Sequence, residues 1–188
     1  MQLTVKDITS LHKPTYCNLR IYLDSKGTPK SEPNSLKKLI NRFGKQHEQN
    51  HLLSLGEIMD LREGSLEQRF QETGYAIADK VKIIYQPILY SKTMINETEV
   101  EIYGGADFFI LEEDKYIIRD CKIIKNLNKD NHDIKSDNIN IELQITLCAW
   151  LFEQNFKTKP AELEIFTKSN QIETVPYDGG EKALNALK

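Results

Sequence analysis

The chain has 188 residues and a formal net charge of −3 at pH 7, with 39% hydrophobic and 28% charged residues. This composition excludes an intrinsically disordered chain, and the 9 Gly and 6 Pro exclude collagen-like or low-complexity sequence. Three widely spaced cysteines argue against a disulfide scaffold and for a reducing compartment. Apolar runs fall short of the ~20 residues of a membrane span, and the first residues lack a signal-peptide pattern. We therefore expect one soluble, cytoplasmic domain over residues 1–188, with no membrane association.

The charge is distributed unevenly along the chain. Residues 1–45 hold nine Lys or Arg against three Asp or Glu, a net charge of +6, so the remainder carries −9. A basic stretch on an acidic protein is typical of a polyanion partner, although a solvated surface has the same composition.

Five helices are predicted from apolar periodicity and capping residues. Asn34 or Ser35 can cap a long helix that reaches Leu55, and Ser65 with Gln68 forms a capping-box pattern. Two polar, turn-rich segments, 24–35 and 125–140, are longer than ordinary connections. The predicted helices cover 15–24, about 35–55, a run from Ser65, about 139–155, and a short run from Asp178.

Strands are predicted between and after these helices, over 81–90, 100–111, 116–124, about 161–168 and about 171–176. Glu112–Lys115 forms a tight polar turn, so the second and third strands should pair as an antiparallel hairpin. Helices on both sides of such strands indicate an α/β fold with a central mixed sheet, or α+β if the sheet is mostly antiparallel.

The predicted hairpin carries charged residues inside apolar strand sequence. Asp120 and Lys122 are two apart and share one strand face, while Cys121 faces the other way. Asp107 lies in the neighbouring strand. Charges embedded in this way are costly to bury unless they are paired or bound to metal. A buried structural ion pair between Lys122 and one of the acids is the alternative interpretation.

Two helices offer further polar residues near apolar faces. His47 follows Phe43 by one turn on the apolar stripe of the long helix, and Gly44 between them suggests close approach of another backbone. Gln144 lies on the apolar face of helix 139–155, where a buried amide needs a partner. A core histidine and a glutamine at the edge of the stripe are the corresponding structural interpretations.

The order Gly44-x-x-His47, Gly105-x-Asp107, Asp120-x-Lys122 and Gln144, on helix, strand, strand and helix, resembles the RecB-like branch of the PD-(D/E)XK nuclease superfamily. The chain is similar to the CRISPR-associated RecB-like exonucleases over roughly residues 8–170. The resemblance implies a restriction-endonuclease-like α/β fold and a DNA nuclease, by expectation an exonuclease of DNA repair, recombination or defence.

The same resemblance implies roles for individual residues. His47, Asp107, Asp120 and the Cys121 backbone carbonyl would bind Mg²⁺ or Mn²⁺, and Lys122 would act on the attacking water and the phosphate. Gln144 would place the nucleic-acid backbone. Carboxylate and carbonyl oxygens suit both cations, and an imidazole ligand favours Mn²⁺.

Partners follow from the resemblance and the charge. DNA, preferably single-stranded or at ends, is the expected partner, with a helicase or another repair or defence protein as a companion. Arg42 and Lys45 are expected to bind the substrate together with Gln144. Eight cations of the N-terminal stretch form the expected DNA footprint: Lys13, Arg20, Lys26, Lys30, Lys37, Lys38, Arg42 and Lys45.

This chain departs from the family pattern in two places. No cysteine follows Cys148, so the four-cysteine iron–sulfur cluster of many relatives is not expected. Cys148 also stands where the family often has Tyr, four residues after the helix Gln.

Two other functions remain open. His47-Glu48-x-x-His51 matches the H-E-x-x-H pattern of zinc metalloproteases, in which two histidines one turn apart bind zinc. The metalloprotease is the weaker interpretation, because the residues flanking the pattern are polar and because it gives no role to Asp107, Asp120 or Lys122. A catalytically inactive, DNA-binding member of the nuclease fold is the other.

Overall fold

The computed structural model describes residues 2–12, 17–29, 32–125, 127 and 135–185. Six helices occur in this part of the chain: α1 (Val5–Ser10), α2 (Asn18–Ser25), α3 (Ser35–Ser54), α4 (Leu66–Ala78), α5 (Lys135–Phe156) and α6 (Glu181–Asn185). Nine strands accompany them: β1 (Gln2–Thr4), β2 (Met59–Asp60), β3 (Ile83–Tyr85), β4 (Leu89–Ile95), β5 (Thr98–Gly104), β6 (Phe108–Glu112), β7 (Lys115–Lys122), β8 (Leu163–Thr167) and β9 (Ile172–Thr174).

The larger sheet has six strands in the order β2-β3-β6-β7-β8-β9. It is mixed, since β2–β3 and β7–β8 pair in parallel and the other neighbours pair antiparallel. Helix α3 packs on one face of this sheet, with its Leu52 in one apolar cluster with Phe108 and Ile117. Helix α5 covers the other face with Leu147 and Phe152. The fold is therefore α/β, as the sequence predicts.

A smaller sheet of three strands lies beside the first, in the order β1-β5-β4. Its inward residues Leu3, Leu89 and Ile102 join the same apolar cluster as Ile118 of the larger sheet. Helix α5 contacts β4 as well as β7 and β8, so one helix packs against both sheets.

Local signals at the helix starts are confirmed. The Asn34 side chain accepts a hydrogen bond from the Lys37 amide at the start of α3. Ser65 and Gln68 form a reciprocal capping box at the start of α4. These bonds satisfy amides that a helix leaves without internal partners, and they fix where both helices begin.

The predicted hairpin is present, but two predicted strands are each divided in two. Residues 113 and 114, both with positive φ, form the two-residue turn between β6 and β7. The run 81–90 is split between β3 and β4, and the run 100–111 between β5 and β6, with the pieces in different sheets. At the second break, a Cβ on Gly105 would collide with the Pro87 carbonyl oxygen, so only glycine allows these two segments to meet.

The N-terminal half of α3 is solvent-exposed. Its apolar residues are 46–65% exposed, so they do not form the core stripe that the periodicity suggested: Leu36, Leu39, Ile40 and Phe43. Gly44 does not mark a backbone contact either, because a Cβ there would meet the Ile123 side chain at an ordinary 3.5 Å. The buried part of α3 begins near its C-terminal end, at His51 and Leu52.

Two further sequence expectations concern residues that lie partly outside the described ranges. Parts of the polar segments 24–35 and 125–140 lie outside them, as do Lys13 and Lys30 of the expected footprint. Within the described residues, no helix combines the length and apolar character that crossing a bilayer requires.

Candidate active site

The hairpin places Asp107, Asp120 and Lys122 together at one end of the larger sheet. The Asp107 amide donates to Asp120 Oδ1 at 3.0 Å, and the Cys121 amide donates to Asp107 Oδ2 at 2.7 Å. Lys122 Nζ lies 2.7 Å from Asp120 Oδ2. Asp120 is 1% exposed, which makes this a charged cluster set into the protein interior.

Burial and neighbouring charges shift the pKa values of Asp107 and Lys122. Burial, followed by the neighbouring Asp120 carboxylate, raises the pKa of Asp107 to about 7. Burial acts to lower the pKa of Lys122, but Asp120 and Asp107 outweigh it, and the pKa lies above its usual value. Groups perturbed by both burial and a specific charge partner are typical of functional sites.

Glu48 of α3 brings a third carboxylate to the cluster. Its Oε1 accepts hydrogen bonds from Tyr85 Oη and from Gln86 Nε2, both at 2.7 Å. Gln86 Nε2 also donates to Asp107 Oδ1 at 3.0 Å, so one amide group joins the helix acid to the hairpin acid. The sequence analysis names Glu48 only within the H-E-x-x-H pattern, and it does not single out Gln86 as a site residue.

His47, the predicted ligand, has other contacts. Its Nε2 lies 3.2 Å from the Phe166 carbonyl oxygen of β8, and its ring stacks on the Phe166 ring at a centroid distance of 5.1 Å. Within the described residues no hydrogen bond or ion pair joins His47 to Asp107 or Asp120. The neighbouring Glu48, in contrast, is joined to Asp107 through the Gln86 side chain.

His51 is buried in an aromatic and cationic setting. Its ring stacks on Phe166 at 3.8 Å and meets Phe108 edge-on. Arg119 Nη1 donates to His51 Nε2 at 3.3 Å, and Arg119 Nε in turn donates to Glu164 at 2.6 Å. Because the Nε2 lone pair faces a guanidinium, this geometry does not favour zinc binding by the H-E-x-x-H pattern.

His51 should make stability depend on pH. Burial, and then the Arg119 charge, lower the pKa of His51 from 6.5 to about 4. Between pH 6.5 and 4, His51 therefore binds a proton in the unfolded chain and does not bind it in the folded chain. The free energy of unfolding should fall as pH drops through this window, by at most about 1.4 kcal/mol per pH unit.

Urea unfolding of the wild type and of His51→Phe, at pH 7 and pH 5, measures this effect. The substitution keeps a ring against Phe166 and removes the titrating group, so the loss of stability between the two pH values should be smaller in the variant. Equal losses in the two proteins would contradict the assignment.

Further predicted residues lie on α5 and on β7. Cys148 of α5 donates to the Gly105 carbonyl at 3.2 Å, two residues before Asp107. Burial, and then the Asp120 carboxylate, raise the pKa of the Cys148 thiol. Gln144 is half-buried one turn earlier on the same face of α5. The Cys121 side chain packs in the apolar cluster under α3, on the face opposite to Asp120.

Arg42 and Lys45 are exposed on α3. With Lys38 they line a surface depression of about 500 Å³. Lys45 precedes Glu48 by three residues and is therefore its neighbour along the helix surface. The basic surface of α3 thus adjoins the acid cluster.

The donor set is chemically suited to a hard divalent cation. Asp107 and Asp120 lie beside one ammonium, with Lys122 Nζ 2.7 Å from the buried Asp120 Oδ2, and Glu48 is joined to Asp107 through Gln86. Mg²⁺ and Mn²⁺ prefer such oxygens. The described residues nevertheless contain no group of three or more His, Cys, Asp or Glu side chains already arranged to hold a metal ion. Cation binding would therefore require side chains of the cluster to move.

Comparisons with known proteins add little to this geometry. No family model matches the chain, and no curated protein matches it. One similar solved structure is described as the crystal structure of SSO0001, with 14% sequence identity and a TM-score of 0.47. That match covers 98% of this chain and 72% of the other.

Proposed function

We propose that the chain is a metal-dependent DNA nuclease whose active site is the acid cluster of Glu48, Asp107 and Asp120 together with Lys122. The observation that carries the proposal is the convergence of two hairpin carboxylates and one ammonium at the end of the sheet, with hydrogen-bond and ion-pair distances of 2.7–3.0 Å. A structural ion pair would need one acid for one lysine. The additional carboxylates leave an excess of negative charge, which a divalent cation would neutralise.

Asp107, Asp120 and Glu48 would hold the cation, and each is an oxygen donor of the type that Mg²⁺ and Mn²⁺ prefer. When bound, such a cation polarises phosphoryl oxygens and acidifies water. Lys122 contributes a fixed positive charge beside these acids, where negative charge develops on the phosphate during hydrolysis. Water is the proposed nucleophile, with no covalent intermediate.

The substrate class rests on the resemblance to RecB-like exonucleases and on the basic surface of α3. Single-stranded DNA or DNA ends are therefore the first substrates to test. A wider role in DNA repair, recombination or defence, with a helicase as companion, has the same basis.

End-labelled single-stranded DNA incubated with the protein and Mn²⁺ tests the function. We expect cleavage that EDTA abolishes and that Asp120→Asn reduces at least about 100-fold, because the variant loses a central carboxylate. Cleavage that persists in Asp120→Asn would reject this site. Binding of DNA without cleavage, whichever divalent cation is added, would instead support the inactive DNA-binding alternative. Zinc-dependent cleavage of casein would support the metalloprotease.

The basic residues of α3 should carry the DNA footprint. Replacing Lys38, Arg42 and Lys45 together with Glu should weaken DNA binding and flatten its dependence on salt. The slope of log K against log salt should become less steep by roughly 0.7 for each lost contact with a single-strand phosphate.

Fluorescence anisotropy at several salt concentrations, without divalent cation, measures this slope. A matched triple replacement of exposed lysines elsewhere on the protein, at Lys80, Lys115 and Lys157, controls for net charge. Equal losses of affinity in the two triple variants would contradict the footprint.

A further inference from the structure

Gln86 has an unusual place in the acid cluster. One nitrogen atom, Nε2, donates to Glu48 Oε1 at 2.7 Å and to Asp107 Oδ1 at 3.0 Å. An amide nitrogen has two hydrogens, and both are used on carboxylates that come from different elements. These two hydrogen bonds offset part of the repulsion between the carboxylates.

The backbone of Gln86 is held in a conformation that glutamine seldom adopts. Its φ is +56°, in the left-handed region, although it precedes Pro87. A residue before proline is normally extended, and positive φ at a residue other than glycine is uncommon. Such conformations persist where surrounding contacts enforce them, and they cluster at functional sites.

Those contacts are visible around Gln86. The backbone N–H of Gln86 donates to the Asp107 backbone carbonyl oxygen at 2.8 Å. Arg69 Nη2 of α4 donates to the backbone carbonyl oxygen of Gln86, also at 2.8 Å. Backbone and side chain of Gln86 are thus both fixed relative to Asp107. The result is a side-chain amide that is aimed between the two acids and cannot turn away without breaking several bonds.

We infer that Gln86 is a positioning residue for cation binding, whose amide holds Glu48 beside Asp107 so that both carboxylates are available to one divalent cation. This inference rests on the proposed function only for the identity of the ligand as Mg²⁺ or Mn²⁺. Gln86 itself acts through Glu48 and Asp107, as hydrogen-bonded partners of metal ligands do. Loss of such a partner typically weakens metal affinity about 10- to 100-fold.

Gln86→Met tests the inference, because methionine is of similar length and lacks the two donors. Gln46→Met is the matched control, since Gln46 is an exposed amide on α3 that donates to Asn50. Free Mn²⁺ measured by electron paramagnetic resonance gives the dissociation constant without any activity assay. We expect a 10- to 100-fold higher Kd in Gln86→Met and no change in Gln46→Met.

A second readout separates positioning from a general structural role. If Gln86 only positions the ligands, the Mn²⁺ concentration for half-maximal DNA cleavage should rise with the Kd, while the rate at saturating Mn²⁺ stays within a few-fold of wild type. Circular dichroism checks folding. If Gln86→Met does not fold, Gln86→Asn replaces it, because asparagine tolerates positive φ but is too short to reach both acids.

The outcomes distinguish this inference from the proposed function. An unchanged or lower Kd in the folded variant would overturn the role of Gln86 and leave the nuclease proposal standing. A raised Kd in a protein that binds Mn²⁺ and cleaves no DNA would support the role of Gln86 and reject the nuclease. A wild type that binds no Mn²⁺ would overturn both.

Discussion

Lys122→Met should abolish DNA cleavage, lowering the rate by at least about 100- to 1000-fold, while Mn²⁺ binding is retained or strengthened. Among the residues that the structure describes, Lys122 is the cation paired with the hairpin acids, at 2.7 Å from Asp120. Its removal takes away a charge that stabilises the developing phosphate charge, and it also removes a competitor of the cation. Cleavage rates at saturating Mn²⁺, together with Mn²⁺ binding, measure the two effects separately.

The same substitution should lower stability, because Asp120 is buried and would lose its counter-charge. Leaving one partner of a buried ion pair alone costs about 3–5 kcal/mol. The double variant Lys122→Met with Asp120→Asn should recover much of the melting temperature and none of the activity. A single variant that cleaves DNA at the wild-type rate would remove Lys122 from the mechanism.

Glu48→Gln should raise the Mn²⁺ concentration for half-maximal cleavage about 100-fold, whereas His47→Gln should change it by less than a few-fold. Glutamine can still accept the Tyr85 hydroxyl at Oε1, so the fold near Glu48 is preserved while the negative charge is lost. His47 contacts the Phe166 carbonyl oxygen and stacks on the Phe166 ring. Its replacement should therefore lower stability more than it changes the Mn²⁺ concentration for half-maximal cleavage.

This pair of neighbouring substitutions decides which residue of the helix serves the site. Titration of both variants with Mn²⁺, under the same conditions and with folding checked by circular dichroism, provides the comparison. A large effect of His47→Gln with none of Glu48→Gln would reverse the assignment and restore the imidazole as the ligand.

The sequence predicts the hairpin well because its signals are local. Apolar runs on both sides of the polar turn at 113 and 114 leave little choice of pairing, and Asp120 and Lys122 then share a face whatever the rest of the fold. The capping residues Asn34 and Ser65 similarly fix helix starts by bonds within one turn. The two acids and the lysine of the site therefore could be predicted together.

Features that depend on distant contacts could not be predicted in this way. The positive φ of Gln86, which lies at the break between β3 and β4, depends on hydrogen bonds with Asp107 and with Arg69 of α4. The close approach of Gly105 to Pro87 is equally non-local. A continuous apolar run such as 81–90 carries no sign that its two halves pair in different sheets.

The choice between His47 and Glu48 depends on which side chain of the helix reaches the acids of the hairpin. The apolar residues around Phe43 suggested that this stripe faces the core, and they placed His47 inward. In the structure Phe43 is exposed, whereas His47 contacts Phe166 and Glu48 accepts hydrogen bonds from Tyr85 and Gln86. In the C-terminal half of the helix, Leu52 and Leu55 continue the helical spacing from Glu48. This pattern favours Glu48 as a residue that faces the sheet.

A crystal of the protein soaked in Mn²⁺, with anomalous diffraction to locate the ion, tests the central claim most directly. The account predicts an anomalous peak in contact with oxygens of Asp107 and Asp120, with Glu48 close by and Lys122 displaced from Asp120. A peak at His47 and His51, or a saturated crystal with no ion at the two hairpin acids, would contradict it.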